Sequence, residues 1–449
     1  MTAEFPNLLK FLLIPHYTKL QTNLMNVSSL MYNECHNFLA QLAFKTYNFA
    51  RAACSFINLH SHSGGWMKFL HLGDLHLGKS LNNFDLIEDQ RYILNEILDI
   101  INVQAVDAVL IAGDVYDKSI PSEAATKLLD KFLNELAHAN IQTFIISGNH
   151  DSDDRLNFGS SLFEANNIFI SAIFDGTLCK KTLTDEYGEV NIYLLPFVKA
   201  SQVRHFYDDE ITSYNDAVRT IIEHTDISTD ERNIIVAHQF VAGKSDAPKL
   251  AGSEGMATQT VGTIETIGYD LFDKFDYAAL GHIHSPQKVG RNEVRYSGSP
   301  LKYSLSEVTN EKSVPIITLA EKGNIKIELL PLKPLRDLRH IKGEMKQLLK
   351  PENVSATDDF IYATLTDEDI INDAMLIFQQ TYPNTVKIEY ENSHTKSVEQ
   401  VDISKIIEER DFKELVSDFY TEVYGCEISP EELQVMEDIA KEVGLNEAN

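Results

Sequence analysis

The stretch MKFLHLGDLHLGK at residues 67–79 places Asp74 and His76 directly after a short apolar run. Four further stretches, IAGDVYD, SGNHD, VAHQF and LGHIH, repeat this arrangement. The apolar runs at residues 69–72, 109–112, 144–147, 234–237 and 277–280 are typical of buried strands in an α/β sheet. Ligand groups in such sheets gather just past the carboxyl ends of the strands. We therefore expect five strand ends to converge on one crevice.

Seven side chains in these motifs are of types that bind metal ions. They are Asp74, His76, Asp114, Asn149, His238, His282 and His284. Hydrolysis of a phosphodiester at neutral pH needs a hydroxide nucleophile and neutralisation of the phosphoryl charge, and two divalent cations roughly 3.5–4 Å apart supply both. We assign Asp74, His76, Asp114 and His284 to one ion, and Asp114, Asn149, His238 and His282 to the other. Asp114 is thus expected to bridge the two.

The mixture of imidazole and carboxylate ligands favours Mn, Fe or Zn over Ca, without choosing among the three. Two carboxylates against two divalent ions leave the loaded site cationic, so it should attract a phosphate. His150, beside Asn149, is interpreted as the group that contacts the phosphate and protonates the leaving oxygen. Asp151 is expected to hold the tautomer of His150.

Composition sets broader limits. The chain has 449 residues, of which 43% are hydrophobic, so it can bury a large core and form two or three domains. Cys35, Cys54, Cys179 and Cys426 are widely spaced, which predicts a reduced, cytoplasmic protein. No run approaches the roughly 18 apolar residues of a membrane span. The formal charge of -28 indicates that any DNA-binding face is local or is supplied by a partner.

Residues 1–66 differ from the rest of the chain. They carry a small positive charge and no alternation of strands and helices, and their apolar stretch is too short for a signal peptide. An amphipathic arm for targeting or docking would need a sustained apolar stripe, which Asn, His and Ser interrupt. Gly64, Gly65 and Trp66 could be encoded by a G-rich ribosome-binding site. We therefore hypothesise that native translation starts at Met67, which peptides from upstream residues in the native host would refute.

Beyond Met67 the pattern predicts helices at 85–102 and 119–140 and strands at 167–171 and 190–195. Strands at 360–365 and 385–390 around a helix at 368–380 predict a small βαβ module. The tail is helical and acidic, with a capping box at Ser429 and Glu432. We therefore divide the chain into an extension at 1–66, a catalytic domain at 67–332, a small α+β capping domain at 333–400 and C-terminal helices at 401–449.

Each motif alone is a weak signal, because Asp-x-His and Gly-Asp often mark ordinary turns and single histidines are usually core residues. Five motifs in order, each after a strand, make coincidence very unlikely. Together they resemble the calcineurin-like metallophosphoesterases. This resemblance implies a four-layered α/β/β/α sandwich with a dinuclear metal centre, but it leaves the substrate open.

Longer segments are more specific. AGDVYDKSIPS, AHQFVAG followed by Gly252-Ser253-Glu254, and YSGSPLKYSLSE at 296–307 are similar to the SbcD family of bacterial nuclease subunits. The resemblance runs from Met67 nearly to the carboxyl end. It implies a Mn-dependent, nucleoid-associated nuclease that cuts double-stranded DNA from its ends (3′–5′) and opens hairpins. The implied partners are the coiled-coil ATPase SbcC and a second copy of the chain, with roles in DNA repair, recombination and replication.

The family pattern implies all seven metal ligands and His150 as the catalytic histidine. Asp117 departs from related archaeal and eukaryotic nucleases, which have a histidine three residues past the bridging aspartate. We expect Asp117 and Arg155 to contact substrate.

Two apolar stripes in the tail are consistent with a helix pair. One runs from Ile403 to Val423 and the other from Leu433 to Val443. Packing against the small module is the ordinary explanation, and gripping the coiled-coil base of SbcC is the alternative that the resemblance implies. The acidity of the tail favours a protein surface over DNA.

Two other functions fit parts of the sequence. A stand-alone phosphodiesterase or phosphatase acting on a small substrate would use the same metal site, but the long C-terminal half argues against it. A metal-free DNA clamp is disfavoured by the intact ligand set.

Overall fold

The computed structural model describes residues 65–243, 248, 266–393 and short stretches within 416–436. The extension at 1–64, the Gly252-Ser253-Glu254 segment and most of the C-terminal helices lie outside the described residues. Within the described part, no helix is long and apolar enough to cross a membrane.

The first sheet has six strands. They are β1 (Met67–Leu72), β4 (Ala108–Ala112), β5 (Gln142–Ile146), β6 (Ile168–Ser171), β15 (Ser313–Leu319) and β16 (Ile325–Pro331). Their order in the sheet is β16-β15-β1-β4-β5-β6. Strands β1, β4, β5 and β6 run parallel, and β15 and β16 add antiparallel strands beside β1. The almost continuous burial of β1 and β4 is what a sheet covered on both faces requires.

The second sheet also has six strands. They are β7 (Cys179–Asp185), β8 (Gly188–Leu195), β9 (Arg232–His238), β12 (Tyr277–Gly281), β13 (Gln287–Val289) and β14 (Arg291–Tyr296). Their order is β13-β14-β12-β9-β8-β7. The central strands β8, β9, β12 and β14 run parallel, with antiparallel strands at both edges. Two short pairs lie outside the sheets: β2 (Ser80–Leu81) with β3 (Phe84–Asp85), and β10 (Val241–Ala242) with β11 (Ile267–Gly268).

The two sheets pack face to face, and helices cover their outer faces. The layer between the sheets is apolar, with Phe69, Phe144, Ile192 and Val236 among its fully buried side chains. The helices of the first sheet are α1 (Ile87–Gln104), α2 (Glu123–His138), α3 (Asp153–Asn157) and α4 (Ser160–Phe163). Those of the second sheet are α5 (Ala200–Val203) and α6 (Tyr214–Glu223). Short 3₁₀ turns occur at Glu164–Asn166, Tyr269–Phe272 and Leu305–Glu307. The predicted α/β/β/α sandwich is confirmed.

A small module follows the sandwich, as the strand pattern predicted. Its three parallel strands are β17 (Leu338–Gly343), β18 (Phe360–Leu365) and β19 (Thr385–Tyr390), connected by α7 (Met345–Leu348) and α8 (Ala374–Gln379). The predicted helix at 368–380 was too long. Its first residues are used elsewhere, because the Asp367 and Glu368 backbone carbonyls accept hydrogen bonds from Asn392 Nδ2 at 3.2 and 3.3 Å.

The predicted helix at 119–140 also began too early. Ser122 takes the N-cap position, where its side chain accepts a hydrogen bond from the Ala125 amide at 3.2 Å. Pro121 therefore lies before the helix. The domain boundaries given above stay predictions.

Candidate metal centre

The first sheet contributes the ligand candidates Asp74 and His76 after β1, Asp114 after β4, and Asn149 after β5. Since these three strands are adjacent and parallel, their carboxyl ends lie side by side. The second sheet contributes His238 at the end of β9 and His282 and His284 after β12, and those two strands are likewise adjacent and parallel. Strand direction in two facing sheets thus explains why distant motifs meet.

The loops that carry the ligands depart from ordinary backbone geometry. Asp74, His76, Asp114 and His282 all have positive φ angles, of 52°, 43°, 48° and 101°. Such conformations are unfavourable for residues with a side chain, and they persist where the surroundings impose them, typically at functional sites.

Two glycines permit the close approach of these loops. A Cβ atom at Gly148 would overlap Asp114 Oδ1, and one at Gly281 would overlap the Ala112 carbonyl oxygen. A larger residue at either position would push a ligand loop away, which is a physical reason for glycine in the Gly-Asn-His-Asp and Gly-His-x-His motifs.

One group of donors surrounds a first metal position. The Nε2 atoms of His76 and His284 lie 3.0 Å apart. The ligand atoms of Asp74, His76 and His284 all lie within 4.8 Å of one another. Asp74 Oδ1 accepts a hydrogen bond from the His282 amide at 2.8 Å, and its buried Oδ2 has no hydrogen-bond partner among the described residues. A buried carboxylate oxygen without a partner is costly unless a cation neutralises it.

A second group forms around Asn149 Oδ1, which lies 2.9 Å from His282 Nδ1 and 3.0 Å from His238 Nε2. Asp114 lies between the two groups. Its Oδ1 accepts the His150 backbone amide at 2.9 Å, and its Oδ2 is 3.6 Å from His76 Nε2 and 3.4 Å from His238 Nε2. The seven candidates are therefore brought together, with Asp114 facing both groups, and the ligand atoms of Asp74, Asp114 and His238 also lie within 4.8 Å of one another. We propose them as the ligands of two divalent cations.

The pKa values of the candidate ligands are consistent with a site that binds two cations. Burial raises the pKa of Asp74 to about 6. Burial disfavours charge on His238 as well, but the neighbouring Asp114 carboxylate outweighs it and raises the pKa of His238 to about 9. Without cations, Asp74 and His238 thus hold protons more readily, whereas burial lowers the pKa of His76 and of His282 and keeps these imidazoles neutral. Divalent cations would displace those protons and neutralise the two carboxylates.

Two family models match this chain. Residues 67–286 match the calcineurin-like phosphoesterases, and residues 334–424 match the family SbcD_C, described as the type 5 capsule protein repressor C-terminal domain. The chain contains a calcineurin-like phosphoesterase domain at residues 67–286. It is of the SbcD type, because the phosphoesterase domain is joined to this C-terminal domain. This makes it a metal-dependent phosphoester hydrolase.

Several solved structures are similar to this phosphoesterase at low identity. The protein TT1561 of Thermus thermophilus is 10% identical, with 59% of this chain and 99% of that chain covered and a TM-score of 0.33. A novel archaeal phosphodiesterase is 12% identical, with 59% and 100% covered and a TM-score of 0.26. A dimetal phosphatase from Danio rerio is 9% identical, with 60% and 100% covered and a TM-score of 0.30. These TM-scores are too low to support a fold assignment. The fold is assigned from the order of strands in the two sheets and from the family models.

Around the metal ligands of the phosphoesterase, the histidine rings are fixed through their outer nitrogens. His238 Nδ1 lies 2.8 Å from the Ala112 carbonyl oxygen, which selects the tautomer with a proton on Nδ1 and leaves Nε2 free to bind a cation. His284 Nδ1 lies 3.2 Å from Glu307 Oε1. Metal-bound imidazoles commonly have such outer partners, which fix the ring and raise its basicity.

His150 is oriented by a different residue from the one expected. Its Nδ1 lies 3.0 Å from the Asp117 carbonyl oxygen, so that backbone group selects its tautomer. Asp151 instead accepts the backbone amides of Gly148, Val115 and Tyr116 at 2.9, 3.1 and 2.9 Å. The expectation that Asp151 holds the His150 tautomer was therefore wrong: its carboxylate joins the loops after β4 and β5.

The two expected substrate contacts lie in different surroundings. The Asp117 carboxylate accepts a hydrogen bond from Lys79 Nζ at 2.6 Å and lies 3.5 Å from His76 Nδ1, so it faces a ligand and a lysine. Arg155 is exposed on α3 and lines a groove beside α2. Neither placement by itself identifies a substrate contact.

Four functional residues were not recognised individually from the sequence. Glu307 is buried and is bound by Lys312 Nζ at 2.6 Å. The Tyr303 hydroxyl donates to the Leu75 carbonyl at 2.6 Å, and Gln90 Nε2 donates to the His76 carbonyl at 2.7 Å. Tyr303 and Glu307 lie in the YSGSPLKYSLSE segment, whose specific resemblance was the available signal. Gln90 and Lys312 had no motif to mark them.

Proposed function

We propose that this phosphoesterase is the nuclease subunit of an SbcCD-type complex. In this proposal it uses two divalent cations, most favourably Mn²⁺, to cleave double-stranded DNA from its ends with 3′–5′ polarity and to open hairpins endonucleolytically. It works with the ATPase SbcC in DNA repair, recombination and replication. The observation that carries the proposal is the SbcD_C match at residues 334–424, in the same chain as a phosphoesterase domain with clustered candidate metal ligands.

The bound cations would supply a hydroxide nucleophile and neutralise the charge that develops on the phosphoryl group. Asp114 is placed to bind both, because its Oδ2 faces His76 on one side and His238 on the other. The buried ligand set would exclude bulk water from the ions themselves, which strengthens their attraction for a phosphate.

His150 is the group best placed to act on the phosphate and the leaving oxygen. Its Nδ1 is directed to the Asp117 carbonyl, so Nε2 is the nitrogen that can hold or release a proton. Its ring stands edge-on to His76, with ring centroids 4.8 Å apart, which places it beside the metal ligands. Protonation of the leaving oxygen by such a group contributes typically about 10²- to 10⁴-fold to the rate.

The chain's charge of -28 limits how DNA can bind. Phosphate contacts depend on local cations such as Lys79, which is 17% exposed near the metal ligands. We propose that DNA binds along a narrow strip beside the metal centre, which includes Arg155. The second copy in a homodimer and SbcC would extend this strip.

The decisive experiment measures cleavage of a linear duplex with one hairpin end in Mn²⁺ buffer. It uses the form beginning at Met67, with and without SbcC and ATP, beside a His150→Ala variant. We expect cleavage that increases sharply with SbcC and ATP and decreases about 10²- to 10⁴-fold in His150→Ala. Absence of DNA cleavage, together with rapid hydrolysis of a small phosphodiester, would support the stand-alone phosphodiesterase instead.

The partner is tested by deleting the residues after Ile403. We expect the shortened chain to hydrolyse small phosphodiesters as before but to lose co-purification with SbcC, because residues 401–449 are proposed to bind the coiled-coil base. If SbcC still co-purifies, the contact lies elsewhere on the chain.

A further inference from the structure

The two imidazoles that meet at the first metal position differ from the others in what holds their outer nitrogens. His284 Nδ1 lies 3.2 Å from Glu307 Oε1, and Lys312 Nζ lies 2.6 Å from Glu307 Oε2. The Glu307 side chain is 0% exposed and that of Lys312 is 5% exposed. Lys312 Nζ also donates to the Ser299 hydroxyl at 2.8 Å and to the His284 carbonyl at 2.9 Å. The acid is therefore enclosed and kept ionised beside the ligand.

His76 has a similar arrangement. Its buried Nδ1 makes no hydrogen bond among the described residues, but it lies 3.5 Å from Asp117 Oδ1, and the same oxygen accepts a hydrogen bond from Lys79 at 2.6 Å. The side chains of Asp117 and Lys79 are only 13% and 17% exposed. Each of these two ligands thus has a carboxylate on its outer side, and each carboxylate is paired with a lysine.

The second position lacks this feature among the described residues. His238 Nδ1 faces the neutral Ala112 carbonyl at 2.8 Å. His282 presents Nδ1 to Asn149, and its buried Nε2 has no hydrogen-bond partner there. The remaining ligand, Asn149, is a neutral amide. The two positions share Asp114 but otherwise differ in charge and in outer partners.

This difference has a direct physical consequence. A carboxylate on the outer nitrogen makes an imidazole a stronger electron donor and fixes its ring, and loss of such a partner typically weakens metal binding about 10- to 100-fold. A carbonyl fixes the ring but carries no full charge. The first position has Asp74 as a further anionic ligand, whereas the second has an amide.

We propose that Glu307 and Asp117 are positioning residues that make the Asp74–His76–His284 side the tighter metal position. The Asn149–His238–His282 side then loads second and exchanges its ion more readily, so the active dinuclear state depends on the concentration of free metal. The inference rests on the dinuclear site of the proposed function but not on DNA as the substrate.

The test is a Mn²⁺ titration of the full chain, in which electron paramagnetic resonance counts the free ion. We expect two binding steps of different affinity. Glu307→Gln should weaken the tighter step about 10- to 100-fold and leave the weaker step unchanged. Asn149→Ala should remove the weaker step and keep the tighter one. The matched control is Glu311→Gln, which makes the same change at an exposed residue of the same segment and should bind as the wild type does.

Asp117→Asn gives a second, independent variant, because its carboxylate is partly exposed and less critical for folding. It too should weaken the tighter step only. Two steps of equal affinity in the wild type, or an unchanged tighter step in both Glu307→Gln and Asp117→Asn, would overturn the inference while leaving the nuclease proposal intact. Absence of any metal binding by the wild type would overturn both.

Discussion

Asp114 shows how single residues shape this centre. Its backbone has a positive φ angle, its Oδ1 is occupied by the His150 amide, and only its Oδ2 faces both groups of ligands. The space around it is set by Gly148, whose Cα hydrogen lies where any side chain would overlap the carboxylate. The proposed bridging by Asp114 thus depends on a residue that has no side chain to bind a cation.

Gly148→Ala tests this dependence. The added methyl group would displace the carboxylate and the backbone nitrogen of Asp114, so we expect the second-step metal affinity and the phosphoesterase rate to fall at least about 10-fold. The control is Gly323→Ala, where no atom lies within 4 Å of the new Cβ and only the positive φ angle opposes the change. The measurement is Mn²⁺ titration beside the rate on a small phosphodiester. Equal behaviour of the two variants would contradict the steric argument.

Strands are the elements that the sequence predicted best. Residues 360–365 and 385–390 were predicted at their observed bounds, and the five strands before the motifs to within about two residues. Periodicity and burial determine such segments locally. The placement of Asp74, His76 and Asp114 followed, because strand direction fixes where each strand ends.

The outer contacts could not be predicted in the same way. The pairing of Glu307 with His284 depends on how a loop after β14 returns to the end of β12, and the bond from Asp117 to His150 uses a backbone carbonyl that no residue type reveals. The helix at 368–380 was overpredicted because the Glu368 backbone carbonyl accepts a tertiary hydrogen bond from Asn392 Nδ2, which competes with a helical one. Local patterns cannot show contacts between distant segments.

The layer between the sheets contains one titratable residue with a clear effect on stability. His71 on β1 is buried, and its Nδ1 lies 3.0 Å from the Tyr277 hydroxyl on β12. Burial, reinforced by the positive charge of Arg295, lowers the pKa of His71 to about 3. The folded chain therefore keeps His71 neutral at pH values where the unfolded chain would protonate it.

We expect this histidine to make the fold sensitive to acid. Its contribution is complete above the unfolded pKa of about 6.5 and is lost as the pH falls towards 3, by at most about 1.4 kcal/mol per pH unit. His71→Gln should therefore lose less stability than the wild type between pH 7.5 and 5. Urea unfolding in the presence of a chelator measures the difference, with exposed His138→Gln as the control. Parallel pH profiles for wild type and His71→Gln would refute the assignment.

At the scale of the whole molecule, the small module is attached to the sandwich close to the metal centre. Arg336 donates to the buried Asp89 on α1, through Nε at 3.0 Å and also through Nη2, and its guanidinium lies over the Phe360 ring of β18. Lys302, in the segment between β14 and Glu307, forms an ion pair with Asp337 at 2.8 Å. The segment from Lys302 to Glu307 therefore contacts both the proposed ligand His284 and the small module.

Arg336→Ala should loosen the module without unfolding the sandwich. Its loss would leave Asp89, which is 1% exposed, without its cationic partner, at a cost of about 1–3 kcal/mol. The matched control is Arg339→Ala, because Arg339 pairs with Asp359 inside the module and does not cross the boundary. We expect hydrogen exchange in Arg336→Ala to increase at residues 334–343 and on α1, whereas in Arg339→Ala it should increase only within the module. If both variants give the same exchange pattern, the Arg336–Asp89 pair does not attach the module to the sandwich. Attachment would then depend on Lys302 and on the apolar contact between Phe84 and Phe360, whose ring centroids are 5.6 Å apart.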